Sequence, residues 1–206
     1  MSGAERRAQL LAIARELFAD KGFDGTSIEE IAGRAGVSKP VVYEHFGSKE
    51  RVYVEVVELA VHRMLDKMTS ALGGGSARAL LEQAALALLE YIEEDTPGFR
   101  ILVRDSPVAS STGNFASLIS DIASRVEHIL GREFATRGFD QELAPLYSQA
   151  LVGMVALTGQ WWLDVREPAR EEVAAHLVNL AWNGLSGMER EPRLVSRTRP
   201  ERDESR

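Results

Sequence analysis

The sequence predicts an all-α protein of about nine helices, and three observations predict it. Apolar residues recur at spacings of three and four along most stretches long enough to form an element. No stretch alternates polar and apolar residues with a strand period for long. Clusters of Gly, Pro and Ser punctuate the periodic segments. Within that class the text divides into a three-helix unit over 1–47, a connecting helix over 48–72, a larger helical domain over 73–188, and a tail over 189–206.

The first helix carries Leu10, Ile13, Ala14, Leu17 and Phe18 on one face and ends at Lys21-Gly22-Phe23. Thr26 and Ser27 each stand three residues before a glutamate, Glu29 and Glu30, so either pair fits a capping box. Ile28, Ile31, Ala32 and Ala35 then make an apolar stripe of about two turns. Gly36 follows where a left-handed C-cap is usual, and Val37 can plug the turn into the core. Ser38 is the next N-cap candidate, with Pro40 in the first turn, where its missing N–H costs nothing.

The third helix, 39–46, spans about 12 Å. Val42 and Phe46 face inward; Pro40, Val41, Tyr43 and Glu44 face outward, flanked by Lys39 and His45. Proline, valine and tyrosine on an exposed face suit a groove, where apolar atoms meet thymine methyls and a phenol reaches a phosphate or base edge. Two short helices joined by a tight turn can lay the second in the major groove of DNA. Gly47 ends this helix. Ser48 caps the next, with Arg51 at the capping-box position and Lys49 at its start.

The connecting helix runs to about Leu72 and breaks at Gly73-Gly74-Gly75-Ser76. That glycine run lacks the Lys-Ser/Thr ending and preceding strand of a phosphate loop. Further helices are predicted over 77–94, 97–105, 115–137, 141–164 and 168–188, separated at Thr96-Pro97-Gly98, at 106–113, at Gly138 and at Glu167-Pro168. The last two are apolar around more than one face, so each must bury two sides. From Glu189 the text turns charged, with six arginines against five acids, and is expected to be disordered.

The first sixty residues resemble the DNA-binding domain of the TetR family of bacterial transcriptional regulators. The resemblance rests on Ala14-Arg15-Glu16-Leu17-Phe18, Gly22-Phe23-Asp24-Gly25-Thr26-Ser27, Ile31-Ala32, Ala35-Gly36-Val37-Ser38, Tyr43, His45-Phe46 and Ser48-Lys49-Glu50. It implies DNA contacts from the Thr26 hydroxyl and the recognition helix. Phosphate contacts fall on Tyr43, His45 and Lys49, and groove-lining or base-facing positions on Ser38, Lys39, Pro40, Val41 and Glu44. Val41 and Glu44 depart from the commonest family pattern. A carboxylate facing DNA is repelled by phosphates but can accept from a cytosine amine.

The resemblance also implies a homodimer formed through the last two long helices, a palindromic double-stranded operator, and a small-molecule pocket in the body. Polar residues inside apolar helical runs and nearby aromatics are the pocket candidates: Phe99, Arg104, Tyr147, Thr158, Trp161, Trp162 and Asn183. Their mixture suggests a largely apolar effector with few polar anchors. The expected function is a ligand-responsive repressor. The alternatives are a constitutive DNA-binding regulator without an effector, and a small-molecule binder whose DNA function has decayed, for which Glu44 is the hint.

Composition bounds the rest. The chain lacks cysteine, which excludes disulfides and thiolate metal sites. No signal peptide or membrane-spanning run is legible, and a cytoplasmic location is expected. Glu58, His62 and Asp66 share a helix face, but salt pairing or solvation explains such a stripe. With no nucleophile elbow, zinc signature or nucleotide loop, neither catalysis nor a metal or cofactor is expected. The net charge of −7 is unusual for a DNA binder. Residues 1–67 carry 10 Lys/Arg and 11 Asp/Glu, so that part is near neutral and the remainder carries −6.

Overall fold

The computed structural model describes residues 1–104 and 115–194. The interval expected to separate two helices at 106–113, and most of the charged tail, lie outside the described residues. Among the described residues there are nine α-helices and no strand. They are α1 Gly3–Lys21, α2 Ile28–Ala35, α3 Lys39–Phe46, α4 Lys49–Ala71, α5 Ala77–Glu94, α6 Thr96–Val103, α7 Phe115–Arg137, α8 Ala144–Val165 and α9 Arg170–Ser186, with a 3-10 turn Gln141–Leu143 before α8. The segment predicted as one helix over 141–164 is thus split: the 3-10 turn comes first, and Pro145 sits in the first turn of α8.

Two main cores organise the helices. The first, here called the head, buries Leu10, Leu17 and Phe18 of α1, Ile28 and Ile31 of α2, Val42 and Phe46 of α3, and Val52, Tyr53, Val56 and Val57 of α4. The Phe18 and Tyr53 rings meet edge-on at 5.0 Å, a favoured aromatic geometry. Ile101 of α6 also belongs to this core, although it lies far along the chain. The second, the body, gathers Met64 and Met68 of α4 with α5, α7, α8 and α9 around Leu88, Leu89, Ile92, Phe99, Ile122 and Trp162.

Helix α4 belongs to both. Its first half packs in the head and its second half in the body. At 1.5 Å per residue its 23 residues reach about 35 Å. Among the described residues no helix is long and apolar enough to cross a membrane.

Candidate nucleic-acid interface

The turn between α2 and α3 follows from local chemistry. Ser27 is the N-cap of α2, its hydroxyl accepting from Glu30 N–H at 3.1 Å. Gly36 ends α2 at φ 66°, in the left-handed region that favours glycine. Its N–H and that of Val37 close back onto the Gly33 and Ala32 carbonyls. Ser38 occupies the N-cap position of α3, but its hydroxyl makes no capping bond. Ser48 caps α4 by accepting from Arg51 N–H at 3.3 Å.

Helix α3 therefore starts and stops sharply. Val42 and Phe46 are buried, while Ser38, Lys39, Pro40, Tyr43 and Glu44 are exposed and Val41 and His45 half-buried. The exposed strip is one turn wide and two turns long, the size of helix that a major groove admits.

Two sequence expectations need correction. Thr26 is buried at 2% exposure, and its hydroxyl donates to the Gly22 carbonyl at 2.8 Å and lies 3.2 Å from that of Leu17. It closes the α1–α2 loop and does not face a groove. Lys49 also turns inward. Its ammonium donates to the Phe23 and Thr26 carbonyls at 2.9 and 3.0 Å and lies 4.1 Å from the Phe23 ring centroid. In this conformation it staples the same loop to the start of α4.

Lys39 is paired with Glu29 and lies 5.7 Å from the Tyr43 ring centroid. The hydrogen bond from Lys39 lowers the Glu29 carboxyl below its ordinary range, and the same bond raises the Lys39 ammonium. Lys21, at the end of α1, pairs with Glu30 at 2.5 Å.

In the body, a cavity of about 90 Å³ lies between α4, α5, α7 and α8. Met64, Met68, Leu81, Leu88, Ile122, Leu130, Leu151 and Val155 are among its lining residues, and every lining residue is apolar except Glu133. None of the seven sequence candidates lines it. Phe99 is fully buried against Tyr91. Tyr147 packs on Phe134, and Thr158 is half-buried on α8. Trp162 is buried, its indole donating to the Pro168 carbonyl at 2.8 Å. Trp161 is 52% exposed, and Asn183 is exposed and bonded to Asn179. Arg104 instead reaches toward the Phe18 and Asp20 carbonyls at the end of α1, at 3.4 and 3.5 Å.

A joint between head and body was not foreseen. Asp95 is 8% exposed and caps α6 by accepting from Gly98 N–H at 3.0 Å. Its carboxylate also accepts from Arg15 of α1 at 3.0 Å and Arg63 of α4 at 3.1 Å. A Cβ on Gly98 would lie 2.7 Å from that carboxylate, so the close approach requires glycine. The signal was present: an Asp directly before Thr96-Pro97-Gly98 is an N-cap followed by a first-turn proline. Tyr91, one turn earlier, donates to the Ala60 carbonyl at 3.2 Å. Burial pushes its phenol well above the ordinary range, and the Asp95 charge adds to this.

A capped, groove-sized helix presented outward by a small three-helix core defines a helix-turn-helix DNA-binding protein. Family comparison gives the same class. Residues 10–56 match the model for "Bacterial regulatory proteins, tetR family", and residues 73–194 match that for "Tetracyclin repressor-like, C-terminal domain". The chain belongs to the TetR family of transcriptional regulators.

Among its relatives is the HTH-type transcriptional activator FasR of Mycolicibacterium smegmatis, 32% identical over 189 residues, covering 88% of this chain and 84% of that protein. The HTH-type transcriptional repressor KstR2 of Rhodococcus jostii is 34% identical over 89 residues, 43% of this chain and 44% of that one. A TetR-like regulator from a Rhodococcus species superposes with a TM-score of 0.73 at 25% identity, over 91% of this chain and 100% of that one. The regulator PfmR of Thermus thermophilus superposes with a TM-score of 0.68 at 28% identity, over 85% and 98%.

Proposed function

We propose that this regulator is ligand-responsive and binds a near-palindromic operator as a homodimer, one α3 helix in each of two major grooves. The observation that carries the ligand reading is the apolar cavity whose wall includes Met64 and Met68 of α4, the helix whose other end is packed in the head. Its volume is below the roughly 150 Å³ in which benzene fits. An effector of more than a few carbons must therefore push the walls apart, and α4 carries that displacement toward the head. A 100-fold loss of operator affinity needs an effector preference of about 2.7 kcal/mol for the released state. The lining favours a largely apolar effector.

Support for the dimer comes from α8 and α9. Leu146, Leu157, Trp161 and Val165 of α8 are exposed by 64, 66, 52 and 47%, at a spacing that keeps them on one face, and Leu180 of α9 is exposed by 65%. Such an apolar stripe marks a surface that a partner covers. One short recognition helix also supplies too few contacts for specific binding alone.

Repression is the family default. The activator FasR, similar over most of its length, makes activation a second reading of the sign.

Footprinting on DNA flanking the protein's own gene, repeated with Tyr43→Ala, tests the reading. Expected are two protected half-sites about one helical turn apart, lost or weakened about tenfold in the variant with its thermal unfolding unchanged. Adding straight-chain alkanols of increasing length should shift operator affinity once they outgrow the cavity. A single protected half-site, or affinity indifferent to every alkanol that stabilises the protein, would refute the dimeric or the ligand-gated part respectively.

A further inference from the structure

The head must approach a polyanion, yet its formal charge is close to neutral, and the lysines nearest α3 are already engaged. Lys39, the first residue of the recognition helix, is held by Glu29. Lys21 is held by Glu30 at 2.5 Å. Lys49 is spent on two carbonyls and a ring. Glu29 and Glu30 are adjacent in the first turn of α2, so one helix start sends one carboxylate toward α3 and the other toward α1.

We propose that Glu29 and Glu30 are specificity-determining residues: they occupy Lys39 and Lys21 as internal stand-ins for phosphate, and so suppress binding to DNA of arbitrary sequence. Non-specific binding is almost entirely the entropy of counterions released when cations meet phosphates. A lysine that must first leave a carboxylate contributes little to it, because the freed carboxylate takes up a cation as the phosphate gives one up. Operator binding is affected less, because contacts to base edges along α3 supply part of its affinity without calling on the two lysines. The inference rests on DNA binding by the head and needs neither an effector nor a dimer.

Lys39 has a double position. It flanks the groove-facing strip and lies near Tyr43, so its release from Glu29 also frees the cation beside the phenol expected at a phosphate. Glu29 and Lys39 side chains are 62% and 45% exposed, so the exchange breaks no core contact.

The test is binding of the full chain to a 30-base-pair duplex of random sequence across a salt series. Glu29→Gln should bind about threefold tighter at low salt. Its plot of log affinity against log salt should steepen by up to about 0.9, the contribution of one phosphate contact. Lys39→Gln alone should change little, and Lys39→Gln combined with Glu29→Gln should erase the gain. Glu30→Gln with Lys21→Gln should repeat the pattern more weakly. Equal affinity and slope in Glu29→Gln would overturn the proposal. So would a gain that survives in the double variant, because Lys39 would then not carry it, and so would a loss in Lys39→Gln as large as that gain, because the effect would then follow net charge rather than a released lysine. Melting curves of each variant, expected within a few degrees of one another, keep the comparison between folded proteins.

Discussion

The head and the body are built from the same element but solve opposite problems. The head presents side chains on a short helix, α3, that ends at Gly47 and lies between two capped helices, α2 with Ser27 and Gly36 at its ends and α4 with Ser48 at its start, all packed on one apolar core. The body keeps its interior incomplete, leaving a gap where α4, α5, α7 and α8 fail to meet. A surface that reads DNA needs side chains held in place. A pocket needs side chains missing, with walls that can move.

The largest expected effect is at the joint between the two. Asp95→Ala removes a buried acceptor shared by Arg15, Arg63 and the Gly98 N–H, leaving the mostly buried Arg15 guanidinium with only its exposed neighbour Glu16. It should cost about 3 kcal/mol, the low end for a broken buried pair because Arg63 is half in solvent. Scanning calorimetry should show one transition in the native chain and two in the variant as the cores part company. A single transition at unchanged temperature would mean that α4 and Ile101 join the cores without help from the ion pairs.

One substitution made in both regions sharpens the contrast. Ala14→Leu adds bulk to a fully buried position in the head and should destabilise by about 1–3 kcal/mol in urea denaturation. Ala156→Leu adds the same bulk at a 4% exposed position on the cavity wall. It should be neutral or slightly stabilising, and should abolish stabilisation by alkanols. Equal losses at both sites would mean that the gap is not free to accept atoms.

The smallest effect is at a cap. Ser27→Ala leaves the Glu30 N–H without its side-chain acceptor and should cost about 1 kcal/mol. DNA affinity should fall more than stability does, since α2 sets the angle of α3.

The same contrast explains what the sequence could reveal. Helices α2 and α3 were legible because a glycine and an apolar stripe are each written locally, although the sequence offered both Thr26 and Ser27 as the cap of α2, and Ser38 makes no capping bond. The cavity was not. Polar and aromatic residues such as Arg104, Trp161 and Asn183 stand out within apolar runs, but they serve other duties: a contact with the end of α1, an exposed face, and a pair with Asn179. Ordinary leucines, isoleucines and alanines surround the gap, and no residue type announces a missing neighbour. Thr26 and Lys49 failed differently. Whether a hydroxyl or ammonium turns outward depends on carbonyls that the fold brings close.

The placement of Ile101 bears on building chimeric regulators. A designer splicing this head onto a foreign body would cut near the middle of α4, where the chain passes from one core to the other. That cut leaves behind Ile101, 2% exposed inside the head, together with Asp95, which holds Arg15. A transplanted head would carry a hole, and an arginine stripped of its buried partner, on the side that faces its new host. Successful grafts will be those that bring α6 along, or that choose a recipient whose own helix supplies a β-branched side chain and a carboxylate at the same two places.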